Sequence, residues 1–402
     1  MDRKKVCMPI WKRNLFILWV TQVISLMSFG FGIPFIPFYI EELGVNTPEA
    51  INLFTGILST APAISMAFMA PIWGKLADKY GRKLMILRAM FAAVFVIGGM
   101  GLVQNIYALV ALRSAQGLFT GTVTAASAFI ASNTPKERLS YALGFMASST
   151  FIGYSIGPAL GGLVADRFGY RVSFFVGALF MAVGVLLVLL FIKEDPETYG
   201  AALKKHKDKH EGKILSSAIV SLLVILFMQR FTRSVFAPYM PLYLKTIHGE
   251  DGIATVTGMV NMFVGLATAV AGLSLSRLGD KFKKSKLIVI LLGIAFVFSF
   301  FVIASGGLIG FMLSYTLLFF ILGGIEPMLT SSAAELTSPQ NRGTLFGYMG
   351  MVGSFGWMVS PMTGAAISVQ YGYKAILFIL PVLIAFNIAF AIFNHRKQAS
   401  NM

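Results

Sequence analysis

The chain has 402 residues, of which 56% are hydrophobic and only 12% charged, about half the roughly 25% charge of a soluble domain. With 40 glycines, 36 phenylalanines and a mean hydropathy of +0.77, it is too apolar for a water-soluble enzyme or a disordered chain, so it reads as a polytopic membrane protein. A formal charge of +16 would suggest a nucleic-acid partner, a question that the placement of the basic residues decides.

The basic start, Arg3, Lys4, Lys5, Lys12 and Arg13, has the character of a signal-peptide n-region. The apolar stretch from Asn14 to Ile40 is nevertheless too long and lacks a small-residue cleavage site, so it reads as a first span. A helix needs about 20 apolar residues to cross hydrocarbon about 30 Å thick, which divides the remaining apolar runs into crossings. Val172 to Ile192 and Ala375 to Asn394 carry no charge and fit one crossing each. Leu287 to Ile325 has 39 uncharged residues and must fold back, with Ser305-Gly306-Gly307 as the turn. The predicted spans are 14–40, 51–73, 84–103, 106–131, 141–164, 172–192, 214–244, 253–276, 286–304, 308–334, 343–368 and 374–394, twelve in all.

With the N-terminus inside, the segments on the cytoplasmic side hold 26 Lys and Arg and those on the opposite side hold four. This asymmetry satisfies the positive-inside rule and puts both termini in the cytoplasm. The remaining three, Arg113, Arg230 and Arg233, fall inside spans. The basic charge is therefore topology, and no nucleic-acid partner is expected. Cys7 is the only cysteine, so no internal disulfide can form. His206 and His210 have metal-like i, i+4 spacing but sit among lysines on a polar surface, so no metal is expected. With no phosphate-binding loop and no soluble segment large enough for a nucleotide-hydrolysing domain, the power source is an ion or solute gradient, without a cofactor.

Residues 193–213 form the longest polar stretch and divide the spans six and six, giving 1–192 and 214–402 as two bundles joined by a cytoplasmic linker. Weak repeats support a duplication. Pro34-x-x-Pro37-x-Tyr39 returns as Pro238-x-x-Pro241-x-Tyr243, and Phe168-Gly169-Tyr170-Arg171 returns as Tyr371-Gly372-Tyr373-Lys374. Two such bundles around a central path are a recurring transporter architecture, with access alternating as one half rocks against the other.

Between spans 2 and 3 stands Gly74-Lys75-Leu76-Ala77-Asp78-Lys79-Tyr80-Gly81-Arg82-Lys83, which resembles the signature loop of the major facilitator superfamily. Physically, its glycines permit a tight turn, Asp78 suits a helix N-terminus or a basic partner, and Arg82 and Lys83 suit an anionic leaflet. The resemblance implies that Gly74, Asp78, Gly81 and Arg82 form a cytoplasmic latch against the other half. The counterpart around Asp280 lacks the glycine pair and predicts a weaker latch. Span 4 carries Arg113-x-x-Gln116-Gly117, and an arginine at that depth costs about 2.5–3.5 kcal/mol to insert. It either faces a cavity or is satisfied by backbone carbonyls; the pattern resembles the span 4 motif of proton-linked drug exporters, which implies proton transfer. In span 5, Gly153, Gly157, Pro158, Gly161 and Gly162 form a small-residue face suited to close backbone contact, and the full pattern resembles the antiporter motif. Together these motifs resemble the twelve-span drug:proton antiporter family over nearly the whole chain. They imply an all-α membrane protein of two six-helix bundles in a bacterial plasma membrane, monomeric, exporting small amphipathic molecules in exchange for protons.

The membrane interior holds one clear acid, Glu326, near mid-membrane in span 10, and span 7 carries Arg230 and Arg233 on one helix face. The resemblance lines the central path with spans 1, 4, 7 and 10, and so puts Glu326, Arg113, Arg230 and Arg233 on one cavity. Glu326 then either exchanges a proton for substrate or forms a permanent salt bridge between spans 7 and 10. Moving one proton inward at 100 mV supplies about 2.3 kcal/mol, enough for a roughly fifty-fold substrate gradient. The basic bias of the cavity points to anionic or zwitterionic cargo. Gln22, Phe31, Phe35, Tyr39, Phe236 and Tyr239 are candidates for its wall, or else pack between helices or against lipid. Two other functions compete: import of a metabolite on the same scaffold, and a sensor or lipid-handling protein without solute turnover. No Ser/His/Asp set, HExxH motif or paired carboxylates at a membrane face suggests an enzyme.

Overall fold

The computed structural model describes residues 9–119, 121–135, 138–194, 216–338 and 341–400, nearly all of them helical. Cys7 and most of the 193–213 linker, with His206 and His210, lie outside the described residues, as do the side chains of Asp78 and Asp280.

Nine helical stretches among the described residues are long and apolar enough to cross a bilayer. The other three crossings, 106–133, Leu139–Phe168 and Arg342–Tyr371, are richer in Gly, Ser and Thr and complete the twelve. Spans 1, 4, 7 and 10 are the broken ones. Span 1 turns through a 3-10 segment at Ile33–Phe35, and span 7 is interrupted between Val235 and Met240, where Pro34 and Pro238 deny the helix a donor. Span 4 breaks at Gly121, whose φ of +136° is open to glycine alone, and span 10 breaks at Gly324.

The same packing recurs in each half. Span 1 lies on 5 and 6 as span 7 lies on 11 and 12; span 3 packs on 6 as 9 packs on 12; span 2 packs on 4 as 8 packs on 10. The halves meet along two seams, span 5 with span 8 and span 2 with span 11. The glycine face of span 5 makes close approach possible. A Cβ at Gly153 would lie 2.6 Å from Leu26 Cβ, at Gly157 2.8 Å from Met27 Cα, and at Gly161 2.5 Å from Phe31 Cα, while one at Gly162 would collide with the carbonyl oxygen of Ala254. The first three glycines thus seat span 5 on span 1, and the fourth seats it on span 8 of the other half.

The signature segment between spans 2 and 3 is helical through Gly74 and Asp78 to Tyr80, as the end of span 2, and the chain reverses at Gly81, with φ +94°. The partners of Arg82 lie in its own half rather than across the interface. Its guanidinium donates to Ala128 O, and its backbone N–H, with that of Lys83, donates to the Glu194 carboxylate, which caps span 3.

Candidate functional site

A cavity of about 880 Å³ lies between the halves, walled by spans 1 and 5 on one side and by spans 7, 8, 10 and 11 on the other. Its inner end is at Pro34, Pro158 and Asn261, and it extends toward the end of the bundle that carries both termini as far as Ala334 and Phe346. Spacing of i, i+3 puts Arg230 and Arg233 on one face of span 7, and the Gly324 break turns Glu326 toward them. Just before that break, Gln229 Nε2 donates to Leu322 O at 2.7 Å and ties span 7 to span 10.

Arg230 Nη2 donates to Glu326 Oε1 at 2.6 Å, a charge-assisted bond. Arg233 Nη1 stands 3.9 Å from Glu326 Oε2, and its Nη2 donates to Thr268 Oγ1 at 3.4 Å. Aromatic rings back both guanidinium groups, Trp357 at 4.9 Å for Arg230 and Phe319 at 5.6 Å for Arg233. Gly353 leaves room for the Arg230 guanidinium, since a Cβ there would lie 2.8 Å from Nη1. The three charged side chains keep 23%, 23% and 28% of their surface, so they are wetted from the cavity rather than sealed in the core.

Arg113 is separate from this trio. Its side chain is buried, donating from Nε to Leu58 O at 2.8 Å and from Nη1 to Gln116 Oε1, which is the backbone-satisfied arrangement. It edges a smaller chamber of about 190 Å³ beside Pro34, Pro37, Pro238 and Pro241.

The candidate aromatic wall is corrected. Gln22, Phe31, Phe35, Tyr39, Phe236 and Tyr239 are all at most 3% exposed, and the large cavity is lined by none of them. Phe31 packs on Phe180, and Tyr39 donates to Met100 O at 2.9 Å beside Phe174. Phe236 sits among Tyr243, Phe311 and Tyr315, and Tyr239 donates to Pro361 O at 2.7 Å. The aromatic lining comes from Phe29, Phe151, Tyr154, Phe346 and Trp357. Spans 5 and 11 carry four of these, two of them on the helix whose glycines form the packing face.

At the opposite end, polar contacts bridge the halves. Asp166 of span 5 accepts from the N–H groups of Ala254 at 3.1 Å and Thr255 at 2.7 Å, the first turn of span 8. Lys245 pairs with Glu41 at 2.8 Å. Deeper in the bundle, near mid-span, Thr60 donates to Met358 O at 3.0 Å.

Comparison with known proteins fits this architecture. The model of the Major Facilitator Superfamily matches residues 18–361 and 222–401. The chain is 32% identical over 393 residues to the multi-drug resistance efflux pump PmrA homolog of Lactococcus lactis, covering 96% of each chain. It is 31% identical over 398 residues to the multidrug resistance protein MdtG of Escherichia fergusonii, again covering 96% of each. Among solved structures, a bacterial homolog of the human lysosomal transporter Spinster, inward-facing and occupied, superposes with a TM-score of 0.82 at 14% identity, covering 97% of this chain and 98% of that one. The human organic anion transporter MFSD10 gives 0.70 at 17% identity, covering 95% and 100%. Twelve crossings in two matching halves, a cavity between them with ionised side chains, and family-wide similarity along the chain lead to one assignment: this is a transporter of the Major Facilitator Superfamily.

Proposed function

We propose that the protein is a proton-coupled exporter of small amphipathic molecules in a bacterial plasma membrane, working as a monomer by alternating access. Both termini lie in the cytoplasm, because the end that carries them also holds most of the Lys and Arg. The cavity then faces the cytoplasm, and the contacts at Asp166, Lys245 and Thr60 close the outer side. The named activity of the PmrA and MdtG relatives supports multidrug export as the class of work.

The observation that carries the reading is Glu326, an intramembrane acid held by Arg230 and reachable from the cavity. A proton on Glu326 removes the charge that Arg230 and Arg233 share. The span 7 to span 10 contact weakens and cargo is released, so proton and cargo compete for one carboxylate. Arg230 and Arg233 hold that charge in place, and Arg113 fixes span 4 against span 2. The span 5 face of Gly153, Gly157, Pro158, Gly161 and Gly162 is the sliding surface. The latch of Gly74, Asp78, Gly81, Arg82 and Asp280 engages when the cytoplasmic side closes.

Cells lacking their own exporters test this. Expression should confer resistance to a subset of a compound panel, and a protonophore should abolish it. In proteoliposomes Glu326→Gln should end pH-driven transport while membrane insertion is retained. Undiminished transport by that variant would remove the residue from coupling, and proton-driven uptake would reverse the direction.

A further inference from the structure

We propose that the preferred cargo is an amphipathic zwitterion, its ammonium received by Glu326 and its carboxylate by Arg233, with an aromatic body against Trp357, Phe346 and Tyr154. The inference rests on the export reading above and specifies the chemical class that its site selects.

The trio offers one spare acceptor and one spare donor. Glu326 Oε1 is held by Arg230 at 2.6 Å, but Oε2 has its nearest cation 3.9 Å away, beyond hydrogen-bonding distance. The other contact of Arg233, to Thr268, is long at 3.4 Å. A carboxylate oxygen and a guanidinium edge therefore face each other without a bond between them, both on the cavity wall. A cavity of about 880 Å³ accommodates a drug-sized molecule.

Linkage separates the charge classes. An anion drawn to the arginines competes with ionised Glu326, so protonating Glu326 strengthens its binding. By reciprocity the anion strengthens proton binding, and the two load together, which is co-transport. A cation on Glu326 does exclude the proton, as exchange requires, yet it meets two arginines around one carboxylate, a site of net charge +1. A zwitterion resolves both problems. Its ammonium on Oε2 keeps the proton off, and its carboxylate on Arg233 offsets the surplus positive charge.

One scaffold carried in four charge states isolates this term: Nε-dansyl-lysine (zwitterion), its methyl ester (cation), its Nα-acetyl derivative (anion) and the acetylated ester (neutral). Full-length protein in proteoliposomes with an imposed pH gradient is read by dansyl fluorescence and by a pH dye. The zwitterion should exchange for protons at least about tenfold faster than the ester, the worth of one hydrogen bond between charged groups. The acetylated anion should move with protons or not at all. Arg233→Gln should bring the zwitterion-to-ester ratio toward one, and Arg233→Lys, which keeps the charge, should restore part of it. Ester exchange as fast as the zwitterion's, or a ratio unmoved by Arg233→Gln, overturns the zwitterion assignment while leaving proton-driven export intact. No movement of any of the four also overturns it, and the resistance panel with Glu326→Gln then decides the export reading on its own.

Discussion

The two ends of the bundle are joined by different kinds of contact. Toward the end away from the termini, polar contacts cross between the halves: Asp166 to the start of span 8, Lys245 to Glu41, a long bond of 3.4 Å from Tyr239 to Asn52 O and, deeper in the bundle, Thr60 to Met358. At the terminus-bearing end, the polar contacts among the described residues stay within a half. Glu194 caps span 3, Lys284 pairs with Glu335 and Ser331, Asn394 donates to Ala218 O and Ser221, and Asn14 donates to Lys193 O. Each half is thus braced internally where the halves stand apart, and leans on its neighbour where they meet. Rigid bodies with a reversible seal between them are what a rocking motion needs, because only the seal has to break.

The largest effect expected on this contrast comes from the glycines of the seam. A side chain at Gly162 would strike Ala254 O, and one at Gly258 would strike Pro158 O, both backbone atoms that cannot rotate away. Overpacking of this kind costs about 1–3 kcal/mol, and here it falls on the closed outer seam. In a Cys7→Ser background, a cysteine at Ser59, which lines the small chamber inside the seam, should react with an impermeant maleimide from the outer side about tenfold or more faster once Gly162→Val is added. Size-exclusion profiles and unchanged membrane insertion check that the variant folds. An unchanged labelling rate would show that the seam is not the seal.

Asp166→Asn should act in the same direction but less strongly. Span 8 starts after Gly252 without a capping side chain of its own, so the other half supplies the carboxylate for its first N–H groups. Losing a charged cap costs about 1 kcal/mol, roughly a fivefold shift in favour of the open seam. The same Ser59→Cys labelling reads it, and Asp166→Glu should recover part of the protection.

The seam also shows which parts of the structure the sequence could disclose. Twelve crossings were legible because length and charge suffice to count them, and Glu326 with Arg230 and Arg233 stood out because ionised groups inside a membrane are costly. The cavity wall was not legible. The faces of span 1 hardly differ in hydrophobicity, so its sequence does not say which way Phe31 or Tyr39 turns; that depends on the glycine contacts with span 5. Trp357 and Phe346 sit in a glycine-rich helix whose pattern does not single them out. Asp166 was missed, although a signal existed. An acid in the last turn of a helix opposes its dipole, and Gly252 leaves the start of span 8 uncapped. An unfavourable charge on one helix and an unmet need on another are resolved only when the two are side by side.

Lys245→Gln should give the smallest effect. Lys245 joins span 7 to Glu41 of span 1 at 2.8 Å and also pairs with Glu250 of its own half at 3.2 Å. Its side chain is 28% exposed and that of Glu41 31%, so water weakens the bond. Pairs of this kind contribute about 0.2–1 kcal/mol, which predicts at most about a fivefold gain in outer labelling of Ser59→Cys. Glu41→Gln leaves Lys245 paired with Glu250 and should do less still. Salt separates the two sorts of contact. In about 1 M salt, where the screening length is about 3 Å, the difference between Lys245→Gln and the parent should shrink toward nothing. The difference made by Gly162→Val, a matter of colliding atoms, should persist. A Lys245 effect that survives high salt would mean that the lysine stem holds the seam by packing, and the outer contact would then belong with the glycines rather than with the ion pairs.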